Sequence, residues 1–370
     1  MNILFVSSTR AGGSGLSQRQ LAARLIARGH RVVILADPED GHRLTRYLYR
    51  RQVNLSTKLR GHAVRPPLLA LQRPFGRRAV PAGEYDLPVY FSPVPENAYR
   101  TVRRRFSPDV VVASSIDRVS WRRLRAQLRA DGIPSALYLR EDSAHGHLTI
   151  SNAPPDLLLA NTGSLAQRAR EAGFECLMIP SAIETSATRV ESTRERVLFL
   201  NPLPSHGIDR LWAVARARPD IPFAVQESWA LSEPARAGVL AGAAGLPNVE
   251  FRPRTTDLGV IYRDARLLFL PHQLDNRQRV VAEAQANGLP VVASAYPGLV
   301  EAVGPGGVLV APDAPDAGWI DAVGRLWDDS EYYGRLGEEA LRHAARPDIH
   351  PEVVTSRVEE ALQGLVEKHR

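Results

Sequence analysis

Three stretches near the start decide the fold: Asn2-Ile3-Leu4-Phe5-Val6-Ser7, Ala11-Gly12-Gly13-Ser14-Gly15 and Arg31-Val32-Val33-Ile34-Leu35-Ala36. The first and last are apolar runs of strand length. Between them, Thr9 to Gly15 is a glycine-rich turn. Leu21, Leu25 and Ile26 then fall at helical spacing until Gly29-His30 ends the helix. Strand, turn, helix and strand make a βαβ unit, which implies a parallel sheet.

The same alternation continues outward. Strands are predicted over 109–113, 135–139, 157–160 and 175–179, with a helix over 121–130 and a helix start at Asn161-Thr162. Residues 37–100 carry Arg50-Arg51, Arg77-Arg78, Pro66-Pro67 and scattered aromatics. They read as an irregular or partly helical excursion on one face. After the polar stretch 184–196 a second series follows, with strands at 196–200, 223–226, 249–251, 267–270, 290–293 and 308–310. A helix over 207–216 lies within it. Pro347 and Pro351 interrupt the pattern, and 352–367 form an amphipathic helix with Val354, Val358, Ala361 and Leu365 on one stripe. The fold class is therefore α/β: two tandem Rossmann-like doubly wound domains facing across a cleft, with a C-terminal crossover helix. The expected domains are 1–183, 184–346 and the helix 347–370, with hinges at 180–196 and 345–351.

Bulk properties narrow the function. The apolar share of 44% and charged share of 24% are those of a water-soluble globular chain. No apolar run approaches the roughly 20 residues of a membrane span. The first apolar run is too short for a signal peptide, so the expected location is the cytoplasm. One cysteine, Cys176, excludes an internal disulfide and a cysteine-rich metal site. Residues 1–180 hold 27 Lys and Arg against 14 Asp and Glu, while residues 181–370 hold 20 against 26. A basic first half suits an anionic ligand or a peripheral membrane surface. An arginine-rich codon bias explains it equally, since Lys58 and Lys368 are the only lysines. No nucleic-acid partner is expected, and the oligomeric state stays open.

Three strand-to-helix turns carry candidate chemistry. Gly12 and Gly13 let backbone amides approach a phosphate or sugar at a helix start. In Pro271-His272-Gln273-Leu274-Asp275-Asn276-Arg277-Gln278-Arg279-Val280-Val281-Ala282-Glu283-Ala284, an apolar strand ends, a polar turn follows and a helix opens. Asp275 would lie in the turn and Glu283 about two helical turns in. Each carboxylate suits vicinal hydroxyls of a ribose or hexose; a solvated turn with a helix salt bridge is the alternative. Ala293-Ser294-Ala295-Tyr296-Pro297-Gly298-Leu299-Val300-Glu301 is again strand, turn and helix start, with amides suited to an anionic group.

The second and third stretches resemble the C-terminal domain of retaining family-four glycosyltransferases of the GT-B fold. The matching residues are Pro271, Asp275, Glu283-Ala284, Gly288-Leu289-Pro290-Val291-Val292-Ala293-Ser294, Pro297-Gly298 and Glu301. Asn201-Pro202-Leu203-Pro204-Ser205-His206-Gly207 sits where that family carries Arg and Lys-Gly. The resemblance implies transfer of a sugar from a UDP-, GDP- or dTDP-linked donor to an acceptor held by the first domain. Glu283 would bind the ribose and Asp275 would face the donor sugar. Amides around Gln278, Gly12 and Gly13 would hold the diphosphate. Glu227, Arg252 and Arg254 would line the base pocket. His145 or His147 would face the transferred sugar. Asn201 and His206 stand at the family's cationic positions, so Arg277, Arg279 or Arg140 is expected to supply the missing charge. No Asp-x-Asp motif or His/Asp cluster has metal-ligand spacing, so no metal and no cofactor beyond the donor are expected. Two alternatives stay open: a homologue that lost transfer and serves as a sugar-nucleotide-binding partner or regulator, and a sugar-nucleotide epimerase.

Overall fold

The computed structural model describes residues 1–7, 12–37, 80–82, 87–92, 94–140, 153–228, 230–255 and 257–370. The chain packs as two units. One holds the described residues of Met1–Ala160 with Ala166–Leu177 and Thr355–Arg370; the other holds Asn161–Leu165 and Met178–Val354.

The first unit is built on an eight-stranded sheet ordered β3-β4-β2-β1-β5-β6-β7-β8. Its strands are β1 (Asn2–Ser7), β2 (Arg31–Ala36), β3 (Val80–Ala82), β4 (Val89–Phe91), β5 (Val110–Ser114), β6 (Ser135–Leu139), β7 (Leu157–Ala160) and β8 (Cys176–Met178). Helices α1 (Gly12–Ala27), α2 (Pro95–Phe106), α3 (Arg118–Ala130) and α4 (Gly163–Glu171) connect them. β1 is fully buried from Ile3 to Ser7, as a central parallel strand covered on both faces must be. The described end of the 37–100 stretch is partly helical, as expected, but it also carries two strands that were not. β4 pairs in parallel with β2, β3 closes the edge antiparallel to β4, and α2 is a regular helix. Both strands are three residues long, β3 has Pro81 at its centre and β4 follows Pro88, so no period-2 pattern could form in the sequence.

The second sheet has six strands, all parallel, ordered β11-β10-β9-β12-β13-β14. They are β9 (Arg196–Leu200), β10 (Phe223–Gln226), β11 (Val249–Arg252), β12 (Ala265–Leu270), β13 (Val291–Ser294) and β14 (Gly307–Val310). Before, between and after them come α5 (Thr185–Thr188), α6 (Ile208–Ala217), α7 (Glu233–Ala243), α8 (Leu258–Tyr262), α9 (Arg279–Ala286), α10 (Pro297–Val303), α11 (Asp316–Asp328), α12 (Ser330–Ala344) and α13 (Pro351–Glu367). Strand side chains alternate faces, so β9 feeds two cores. Val197 and Phe199 pack with Leu211, Val214, Phe269 and Trp319 on one face. Leu198 and Leu200 pack with Tyr262, Leu268, Val281 and Leu299 on the other. That division explains why these strands read as unbroken apolar runs.

α13 is the expected C-terminal helix, and Leu362 joins Val354, Val358 and Leu365 among its buried side chains. Within the first unit, Glu359 on α13 accepts from Arg28 Nη1 at 2.6 Å and lies 2.7 Å from His30 Nε2. His30 and then Arg28 hold its carboxyl below the usual range. No helix among the described residues is long and apolar enough to cross a membrane.

Candidate functional site

The order of the second sheet fixes where a ligand fits. From β9 the chain winds outward through β10 to β11, then returns to β12 on the other side of β9 and winds outward again. The crossovers diverge between β9 and β12. In open α/β sheets the crevice beyond the carboxyl ends of such a strand pair receives the ligand.

Two turns meet there. β9 ends at Leu200, and Asn201 takes a left-handed conformation, φ 57°. Its Oδ1 accepts from the Ser228 amide at 3.1 Å, which ties the end of β9 to the end of β10. A short 3-10 turn over Pro204–His206 leads to Gly207, φ 78°, which opens α6. Gly207 is required twice over: a Cβ there would lie 2.1 Å from the Pro271 carbonyl oxygen, at the end of β12. The turns also share a backbone bond, Gln273 N–H to Ser205 O at 3.0 Å. Held this close, His206 and His272 stack, with ring centroids 4.1 Å apart and planes 23° from parallel. Both are buried, and burial lowers both imidazoles below the ordinary histidine range; for His272 the shift is large and His206 adds to it. Sequence reading singled out His206 and passed over His272, although it immediately follows a strand-ending proline. Its significance comes from a partner in a distant stretch.

The β12 turn then carries the motif residues. Asp275 Oδ1 accepts from the Gly298 amide at 2.7 Å. Gln278 is the residue before α9, and its Nε2 donates to Asn276 Oδ1 at 2.5 Å. Glu283 is the fifth residue of α9, one turn in rather than two, because the helix opens only at Arg279. It is 6% exposed; Oε1 accepts from Arg279 Nε at 2.7 Å and Oε2 from the Tyr262 hydroxyl at 3.5 Å. A carboxylate offers about four acceptor positions, so these two bonds leave Glu283 able to accept from further hydroxyls.

The arginines expected to carry free charge are engaged. Arg277 donates to Asp348 at 3.2 Å and lies 3.8 Å from Glu301. Glu301 in turn accepts from the amides of Gly163 at 2.8 Å and Ser164 at 3.0 Å. Arg346 pairs with the same Asp348, and burial followed by repulsion from Arg277 brings its guanidinium down to about 10. Arg279 is held by Glu283. Arg252 forks onto Asp264 at 3.0 and 2.5 Å and reaches Glu250 at 2.9 Å, a buried strut whose Asp264 bonds stabilise its charged form. Arg254 is exposed. Arg140 lies over the Tyr138 ring at 4.0 Å. Glu227 is fully buried at the end of β10; one oxygen accepts from Arg236 and the Leu231 amide, both at 2.9 Å.

In the first unit Gly12, φ 72°, and Gly13 open α1 as expected, and Ser17 Oγ donates to the Gly13 carbonyl at 2.8 Å. His145 and His147 lie outside the described residues. Among the described residues no group of three or more His, Cys, Asp or Glu could hold a metal ion.

Known proteins place these features in a family context. Residues 229–329 match the family model "Glycosyl transferases group 1". D-inositol 3-phosphate glycosyltransferase of Corynebacterium glutamicum is 41% identical over 91 residues, covering 24% of this chain and 22% of that protein. The Salinispora tropica enzyme of the same name is 40% identical over 119 residues, covering 31% and 24%. The matched stretch thus spans about a quarter of these relatives. Whole-chain likeness comes from solved structures. Anabaena HepE in complex with UDP-glucose has a TM-score of 0.72 at 14% identity, covering 98% of this chain and 99% of that one. Sucrose-phosphate synthase from Thermosynechococcus elongatus has 0.74 at 15%, covering 99% of both. The fold is GT-B, and over residues 229–329 the chain resembles glycosyltransferases of family four.

Proposed function

We propose that the chain is a glycosyltransferase that takes a nucleotide sugar at the carboxyl ends of β9 and β12 and passes the sugar to an acceptor with retention of anomeric configuration. The carrying observation is that Asp275, Gln278 and Glu283, all inside the stretch that matches the family model, follow β12 at the switch point where the turn after β9 also ends. Glu283 binds the ribose, Asp275 the donor sugar, and the amide of Gln278 at the start of α9 the diphosphate. Glu227 lines the base pocket. UDP-linked donors lead the candidates, because HepE binds UDP-glucose.

Among the described residues no second carboxylate is positioned as a nucleophile, so a front-face route fits. The bond between C1 and the phosphate oxygen breaks with its electron pair going to that oxygen. The acceptor hydroxyl attacks C1 from the same face and passes its proton to the departing phosphate. The protein's part is positioning and electrostatic stabilisation, without a divalent ion. Proton NMR of the first-formed sugar released from candidate nucleotide sugars, in excess EDTA, tests this. An α-linked donor should give the α-anomer at an undiminished rate. The β-anomer as first product would refute retention, and loss of turnover in EDTA would refute metal independence. No observation favours a homologue that has lost transfer.

The acceptor belongs to the first unit, and its surface suits an anionic one. Arg100, Arg104 and Arg105 on α2 and Arg118, Arg122 and Arg123 on α3 are exposed on helices that pack together, Ser120 Oγ donating to Glu96 Oε1 at 2.9 Å. This face supports a lipid-linked acceptor reached from a membrane surface. Flotation with vesicles containing phosphatidylglycerol should carry the protein upward at low salt and release it in 0.5 M salt, roughly, where screening is strong. Absence of binding at low salt would disfavour that acceptor class.

A further inference from the structure

Arg277 stands between Asp275 and Gln278 in the turn that joins β12 to α9, and the carboxylates beside it belong to other elements. Its side chain is 8% exposed, donates to Asp348 Oδ2 at 3.2 Å and lies 3.8 Å from Glu301 Oε2. Asp348 is part of the short turn Pro347–Ile349. Glu301 is on α10 and is held in place by the amides of Gly163 and Ser164. The β12 turn meets α10 a second time. Asp275 accepts from the Gly298 amide at 2.7 Å, and a Cβ at Gly298 would lie 2.9 Å from both Asp275 Oδ1 and the Asn276 carbonyl carbon, so only glycine fits there. A second guanidinium shares the Asp348 carboxylate. Arg346 pairs with its Oδ1 at 3.2 Å, and burial followed by repulsion from Arg277 lowers the Arg346 guanidinium.

We propose that Arg277 is a positioning residue for the donor: it braces the turn 271–278 against Asp348 and Glu301, and by that brace sets where Asp275 and the Gln278 amide meet a nucleotide sugar. The inference rests on the donor-site reading above. An unbraced turn samples many conformations, and ordering it at the moment of binding weakens affinity. A planar guanidinium with carboxylates on two separate elements removes that freedom before the donor arrives. The rival role for Arg277 is direct contact with the leaving diphosphate. Its Nη1, buried and without a hydrogen-bond partner among the described residues, is the donor group that contact would use. One substitution gives opposite signs for the two roles. Asp348→Asn removes the carboxylate and keeps the shape of the side chain. If Arg277 braces the turn, loss of the Asp348 charge slackens it and donor binding weakens. If Arg277 serves the diphosphate, the same loss releases its charge and donor binding strengthens.

Calorimetric titration with UDP-glucose, then GDP-mannose and dTDP-glucose, measures that sign, and donor hydrolysis by the same proteins gives KM and kcat. Asp348→Asn and Arg277→Met are each expected to weaken donor binding about tenfold, the size of a coupling within one ion-pair network. The loss should appear in KM, with kcat changed less than about threefold, because the brace acts on the bound and reacting donor alike. The variant carrying both substitutions should bind no more weakly than Arg277→Met alone, since both remove one interaction. Arg346→Met, which takes away the second guanidinium on Asp348 and leaves the brace intact, should stay within about twofold of wild type. Urea midpoints establish that each variant is folded. If Asp348→Asn does not fold, Asp348→Asn with Arg346→Met has one buried charge fewer and is read the same way. Tighter donor binding in the Asp348→Asn variant overturns the brace in favour of direct contact. Unchanged binding by folded Asp348→Asn and Arg277→Met proteins overturns it and leaves the donor site standing. Losses that add in the double variant, or an Arg346→Met loss as large as that of Asp348→Asn, overturn the pairing of Arg277 with Asp348. Failure of every nucleotide sugar to bind the wild-type protein overturns the donor site itself.

Discussion

Glu283→Gln is expected to fold and to lose nucleotide-sugar affinity by about 30-fold or more, while Glu283→Ala is expected to lose much of the stability of the second unit as well. A carboxylate that binds hydroxyls makes charge-assisted hydrogen bonds worth roughly 1.5–3 kcal/mol each, and an amide of the same shape replaces them poorly. The alanine variant does something further. Arg279 is 7% exposed at its side chain and pairs with Glu283 at 2.7 Å, so removing Glu283 takes a carboxylate away from a buried guanidinium and the acceptor away from the Tyr262 hydroxyl. Breaking one half of a buried pair costs about 3–5 kcal/mol. Urea unfolding of the two variants separates the effects: a large drop in midpoint for alanine, a small one for glutamine. Donor binding at full affinity by a folded Glu283→Gln would remove Glu283 from the ribose.

Gly207→Ala should destabilise by about 2–5 kcal/mol and abolish donor binding. The left-handed backbone costs a non-glycine residue roughly 1–2 kcal/mol. The new methyl would overlap the Pro271 carbonyl oxygen, and overpacking of this kind costs about 1–3 kcal/mol more. Relief of the overlap must part the turns after β9 and β12, which separates the two imidazoles. Gly29 provides the control. Its φ is 87° and a Cβ there meets nothing within 4 Å, so Gly29→Ala carries the backbone cost alone. Equal urea midpoints for the two variants would show that the approach of the two turns is not tight.

The contrast between those glycines also shows what was legible in the sequence. Both were visible as helix boundaries; only the structure shows that one of them is pressed against another strand's end. Most strands announced themselves because a parallel strand buried on both faces is an unbroken apolar run, as at 110–113 and 267–270 within β5 and β12. β3 and β4 did not, being three residues each with a proline within or just before. The order of motif residues at 271–301 was readable by resemblance, and so was their gathering at a strand end. Their charge state was not. Whether Arg277 is a free cation depends on Asp348 and Glu301, and whether Arg252 is one depends on Asp264. Those partners come from separate elements, and spacing along the chain says nothing about them. His272 was in plain view within the quoted motif, yet an imidazole after a strand has no meaning until a second ring lies flat against it.

The composition of the first unit bears on how the polypeptide is made. Its sheet begins at Asn2, but Thr355–Arg370 belongs to it too, fastened by Glu359 to Arg28 and His30. The residues of the second unit lie wholly between those two pieces. During synthesis at about 5–20 residues per second, every residue of the second unit is made before Thr355–Arg370 of the first. The unit whose strands emerge first is therefore completed after the other has been made, and the α13-binding surface of its core stays uncovered until Thr355–Arg370 has emerged.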